Sequence, residues 1–205
     1  MEIIASLGRT MGFSFAAGIN LYATVAILGL ASRYQWVKLP SQFQAFDNDW
    51  VIATAIVLYV VEFVADKIPW FDSIWDTIHT AIRPIGGAVI AVTTLGDASP
   101  ATETMIGLFG GALAASTHFT KAGTRAVANT SPEPFSNWAL SLGEDLFVVG
   151  LGFLALKYPV AAAIVVVVSL VLIVAFAAVL IRAIRRWWGR RRPVPEPLLS
   201  ARGES

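Results

Sequence analysis

Apolar residues in this chain fall in long unbroken runs, not in the alternation of a half-buried strand. Positions 10–32 and 158–181 carry no charged residue. A helix crosses a bilayer with about 20 mostly apolar residues, so each run is long enough to span one. Prolines punctuate the joins, at Pro40, Pro69, Pro100, Pro132, Pro134 and Pro159, as expected where helices start and stop. The pattern predicts helices at roughly 9–32, 50–67, 71–97, 102–127, 136–157 and 159–187. Pro84 lies inside the third and should break it, because proline cannot donate to the carbonyl four residues back. The expected architecture is an all-α membrane protein of about six transmembrane helices.

Two segment pairs suggest an internal repeat. FAAGIN at 15–20 resembles GALAASTH at 111–118, and ADKIPW at 65–70 resembles ALKYPV at 155–160. Repeats of three helices each, 9–97 and 102–187, would lie inverted in the membrane, as in many secondary transporters.

Composition supports the membrane class. Of 205 residues, 56% are hydrophobic and 14% charged, where a soluble domain carries about 25% charged residues. Glu2 and the absence of a basic leader in MEIIASLGRT predict a retained first helix, not a cleaved signal. The chain has no cysteine, so disulfides and thiolate chemistry are excluded. The last helix runs into RAIRRWWGRRR. Its arginines should lie in the cytoplasm beside anionic lipid headgroups, with Trp187 and Trp188 at headgroup level. Nucleic acid is not the expected partner. Six spans would place the N-terminus in the cytoplasm as well. The membrane domain should cover 1–188, and the basic, Pro-rich tail 189–205 should be disordered.

The charged residues change the picture most. Helix positions three or four apart share a face. Asp72, Asp76, His79 and Arg83 therefore form one stripe, Glu62 and Asp66 a second, and His118, Lys121 and Arg125 a third. A short turn at 97–100 should pair the third and fourth helices antiparallel. That register sets Asp76 near Lys121, Asp72 near Arg125, and His79 near His118. It also sets Gly86 and Gly87 opposite Gly110 and Gly111, where small residues permit close approach. Arg83 would lie deepest, about 18 Å along its helix, with Glu62 or Glu144 as its partner. The Thr80 carbonyl freed by Pro84 would be satisfied by Asn20, Tyr22 or Thr24. Glu62, Asp66, Asp72, Asp76, Glu144 and Asp145 set against Lys67, Arg83, Lys121 and Arg125 give a net −2 with both histidines neutral. A cluster so balanced is expected to take up protons or a cation.

The run VEFVADKIPWFDSIWDTIHTAIRPIGGA at 61–88, with GINLYATV at 18–25, resembles an uncharacterised bacterial membrane family, the domain of unknown function DUF4126. The resemblance covers the first five helices. It implies a multi-pass membrane protein, expected in a bacterial inner membrane, and no particular activity. The residues themselves point first to a small transporter or channel, since ionisable groups inside a membrane mark ion and solute pathways. A second reading is a scaffold whose cluster pins helices together. A third is a metal-dependent membrane enzyme built on Asp76-x-x-His79 with Glu62 or Asp72. Neither G-x-S-x-G nor H-E-x-x-H occurs, no phosphate loop follows a strand, and no cofactor is called for. Close glycine packing and the 159–187 helix would suit a homo-oligomer.

Overall fold

The computed structural model describes residues 2–130 and 134–190. It contains seven helices among the described residues: α1 (Glu2–Ile19), α2 (Leu21–Arg33), α3 (Asp49–Ala65), α4 (Pro69–Leu95), α5 (Pro100–Ala128), α6 (Pro134–Lys157) and α7 (Pro159–Arg190), with a short 3₁₀ helix at Ser41–Phe46 before α3. The starts follow local chemistry. Asn48 accepts from the Trp50 and Val51 amides at 2.9 and 3.3 Å to cap α3. Pro69 and Pro100 open α4 and α5, where the missing N–H costs nothing. Gly96, at φ 84°, ends α4. The chain groups into two compact units, Met1–Val167 and Val168–Ser205. In the second, the described residues are the end of α7, with Val171, Leu172, Phe176 and Leu180 exposed. The tail at 191–205 lies outside the described residues.

The helix break is not where the prolines place it. α4 continues through Pro84 without interruption. The segment predicted as one helix over 9–32 is instead two, divided at Asn20, whose backbone is extended at φ −145°. The Asn20 N–H closes α1 on the Ala16 carbonyl at 2.9 Å. Its side-chain oxygen opens α2 by accepting from the Ala23 amide at 2.9 Å, and Thr24 Oγ1 donates to the Asn20 carbonyl at 2.8 Å.

Contacts show that the chain reverses at this break. α1 runs antiparallel to α6, with Gly12 against Ala155 and the Phe15 ring 6.2 Å from that of Phe147. α2 runs parallel to α6, with Asn20 meeting Asp145 and Ile27 against Gly152. α1 therefore enters the bundle and α2 returns toward the same end. At that end, here the Gly96 end, Thr10 meets Thr94 at 3.1 Å, Gln42 donates to the Thr94 and Leu95 carbonyls, Phe43 packs on Phe13, and Gly8 abuts Pro159. Arg33, closing α2, pairs with Asp47 and Asp49 at 2.8 and 2.7 Å. The opposite end, the Lys67 end, carries the α3–α4 turn. The N-terminal segment is thus a helical hairpin with its tip at Asn20, in place of the expected single helix. Broken backbone of this kind survives in a membrane only when buried in protein; Asn20 and Thr24 are buried.

The proposed repeat also reads differently. Gly18 packs against Ala114 and Thr117, and Ser14 lies at Gly110, so α1 and α5 run parallel. Inverted repeats would set FAAGIN and GALAASTH antiparallel. The two segments look alike because each is a small-residue face, and they pack on one another.

Three helical segments, Pro69–Leu95, Phe135–Lys157 and Pro159–Ala183, are long and apolar enough to cross a membrane. This is a membrane protein built, among the described residues, entirely of helices.

Candidate functional site

The α4–α5 register follows the expected turn. A Cβ on Gly87 would meet the Gly110 carbonyl at 3.0 Å, and one on Gly110 the Gly87 carbonyl at 2.8 Å. Gly86 faces Leu21 of α2 instead, and a Cβ on Gly111 would meet the Pro84 carbonyl at 3.2 Å. α4 is thus packed on both sides around Pro84.

The predicted cross-pairs between α4 and α5 do not form, although the level is right. α3 slides Glu62 and Asp66 into the seam and takes the cations. Glu62 Oε1 accepts from Arg83 Nη2 at 2.8 Å and from Lys121 Nζ at 3.4 Å. Asp66 Oδ2 accepts from Lys121 at 3.0 Å and Arg125 Nη2 at 3.2 Å. Glu144 of α6 grips Arg125 in a two-pronged pair at 3.1 and 2.6 Å, the geometry that suits guanidinium to carboxylate. Asp76 bonds Arg83 on its own helix at 3.1 Å. The result is one continuous chain: Asp76, Arg83, Glu62, Lys121, Asp66, Arg125, Glu144. Arg83 and Glu62 are fully buried, and the Glu144 side chain, 17% exposed, is the most open. Lys67 stands aside, donating to the Phe63 carbonyl at 2.9 Å and Ser141 at 3.3 Å.

Acids alternate with bases along this chain and outnumber them by one. Two more acids, buried Asp72 and half-buried Asp145, are met among the described residues by amides: Asn129 reaches Asp72 at 2.9 Å, and Asn20 reaches Asp145 at 3.2 Å. Asp72 therefore pairs with Asn129 and not with Arg125. One oxygen on each of Glu62, Asp66, Asp72 and Asp145 is buried without a hydrogen-bond donor. An unpaired buried polar atom is costly, so these oxygens mark where a proton, water or cation would be favoured.

The histidines do not face each other; each has its own branch. His118 Nδ1 lies 2.9 Å from Arg83 Nη1 and Nε2 lies 3.1 Å from Thr80 Oγ1. An arginine only donates, so His118 Nδ1 must accept, and this imidazole is neutral. His79 Nδ1 faces the Trp75 carbonyl at 2.7 Å and therefore donates; its Nε2 meets the Tyr22 hydroxyl at 2.8 Å. A hydroxyl can give or take, so this bond persists whether His79 is neutral or charged.

The hairpin tip rests on the ion chain. Lys121 Nζ donates to the Ile19 carbonyl at 3.3 Å, Asn20 holds Asp145, and Tyr22 holds His79. Asn20 thus serves the break in its own helix and not the Thr80 carbonyl. From the Lys67 end, a cavity of about 220 Å³ reaches inward to Asp72, Asp76, Arg125 and Asn129. Asn129 and Asn137 were absent from the predicted cluster. Asn129 continues the Arg125 stripe by four residues, and Asn137 bonds it at 2.8 Å. Their signal was spacing, masked by their lack of charge. Among the described residues no three or more His, Asp or Glu side chains converge to hold a metal ion.

The fold and this chain of ion pairs define an all-helical membrane protein organised around buried charge. The protein belongs to the family described as domain of unknown function DUF4126, whose model matches residues 7–179. The match takes in every member of the ion chain. No curated protein and no solved structure matches the chain.

Proposed function

We propose that this protein moves an ion or small solute across a membrane, with coupling to a proton or cation at the buried acids. One observation carries the reading: a buried chain richer in acids than bases lies under the tip of a helical hairpin. Discontinuous helices that place irregular backbone beside charged groups are a recurrent plan for solute sites. The cavity of about 220 Å³ at the Lys67 end gives an approach to Asp72 and Asp76, and the hairpin tip stands as the barrier beyond. The arginines that close α7 suit a cytoplasmic end. An inner (plasma) membrane is the location that suits the family resemblance.

The test is proton flux in liposomes reconstituted with the full chain, driven by a potassium diffusion potential and read by an internal pH dye. Wild type should raise the flux above empty liposomes. Asp145→Asn, which keeps the shape and removes one of the excess negative charges, should lower it severalfold while the protein still folds. Flux equal to that of empty liposomes with every monovalent cation tried would end the transport reading.

The continuity of the ion pairs favours a second reading, in which the network pins helices and nothing passes. A dry pinned seam would leave cysteines placed singly at 76, 79, 118 and 121 protected from a membrane-impermeant maleimide on both sides. Transport requires labelling at Asp76→Cys from the Lys67 end.

A further inference from the structure

At the opposite end from the ion chain lies a larger cavity, about 850 Å³, between α1, the loop before α3 and the start of α7. Its walls are apolar, from Ile3, Leu7, Leu39 and Val160, and two cations, Arg9 and Lys38, line it. No acidic side chain is among its lining residues. Arg9 is half-buried, and its Nε is buried without a hydrogen-bond partner. Asp47 and Asp49 at this end are already held by Arg33. Two cations lining an apolar cavity, with no acid among the residues beside them, call for an anion carrying a hydrocarbon body.

The depth of the cavity narrows the choice. Tyr34, Trp36 and Trp50 are exposed at this same end, and such aromatics settle at headgroup level. Ile3 and Leu7, which line the cavity, are themselves exposed, as apolar side chains at a lipid-facing surface would be. From these observations we infer that the cavity binds one anionic phospholipid, its phosphate between Arg9 and Lys38 and an acyl chain along Leu7 and Val160. Guanidinium suits phosphate as a two-pronged donor, and an ammonium adds a point charge. None of the α7 arginines is among its lining residues, and the site does not rest on the transport reading.

Native mass spectrometry of the full chain in detergent tests this, with phosphatidylglycerol, phosphatidylcholine and inorganic phosphate as probes. One phosphatidylglycerol should be retained per chain, at least tenfold better than phosphatidylcholine. Arg9→Gln with Lys38→Gln should abolish that preference, Arg9→Lys should keep most of it, and Arg182→Gln with Arg185→Gln should leave it intact. Equal retention of both lipids, or a preference unchanged in the double variant of Arg9 and Lys38, would overturn the proposal. Displacement of the lipid by millimolar inorganic phosphate would also overturn it, by showing a site for a free oxyanion.

Discussion

Arg83 lies about 21 Å along α4 from Pro69, at 1.5 Å per residue, just past the midpoint of a helix of 27 residues. Its guanidinium meets Glu62, Asp76 and His118 together. A planar fork of donors can serve three acceptors; an ammonium on a single stem cannot hold the same positions. Glu62 is the converse, one oxygen shared by Arg83 and Lys121. Removing one partner of a buried pair leaves the other charge stranded, at a cost of about 3–5 kcal/mol. Glu62→Gln should therefore lower stability in detergent by that order. Glu62→Gln combined with Arg83→Gln should recover part of the loss. A single variant as stable as wild type, by thermal or denaturant unfolding, would mean that the pair does not hold the bundle.

At the scale of helices, packing depends on missing side chains. A Cβ on Gly18 would collide with the Thr117 hydroxyl and the Ala114 carbonyl, whereas at Gly123 nothing lies within 4 Å. Gly18→Ala should push α1 off α5 and destabilise by about 1–3 kcal/mol. Gly123→Ala should instead stabilise by about 0.5–1 kcal/mol through helix propensity. Thermal unfolding of the two variants side by side checks both signs. This scale also shows what could be read from sequence. The α4–α5 level was legible, because a short turn fixes the register and Gly87 and Gly110 confirm it. Depth narrowed the partner of Arg83 to Glu62 or Glu144 but could not choose between them; Glu62 takes it, and Glu144 goes to Arg125. The partners of Lys121 and Arg125 were not, because stripes on two helices say nothing about a third inserting Asp66 between them. The break at Asn20 was hidden because a charge-free run over 10–32 reads as one span. The only local sign was an asparagine with capping chemistry, weaker on the page than the proline that in fact breaks nothing.

Across the whole molecule, the reversal at Asn20 puts both ends of the N-terminal segment at one end of the bundle. Single cysteines at Ile3 and Gln35 should therefore react with an impermeant maleimide from the same side of the membrane. A cysteine at Ser73 should react from the other side. Ile3 and Gln35 labelling from opposite sides would restore the single-span reading and remove the hairpin.

That reversal also bears on how the protein comes to be made. When α1 and α2 leave the ribosome, the groups that satisfy the hairpin tip, Lys121 and Asp145, have not been synthesised. Without them a broken, half-inserted backbone is untenable in lipid, and the charge-free run at 10–32 is long enough to cross outright. Such a segment is expected to begin as an ordinary traversing helix and to fold back only after α5 and α6 are in place. A chain ending at residue 99 should keep the early arrangement, with Ile3 and Gln35 labelled from opposite faces. Opposite-face labelling would make maturation a change of topology that closure of the ion chain completes; same-face labelling in the short chain would show that the hairpin forms without it.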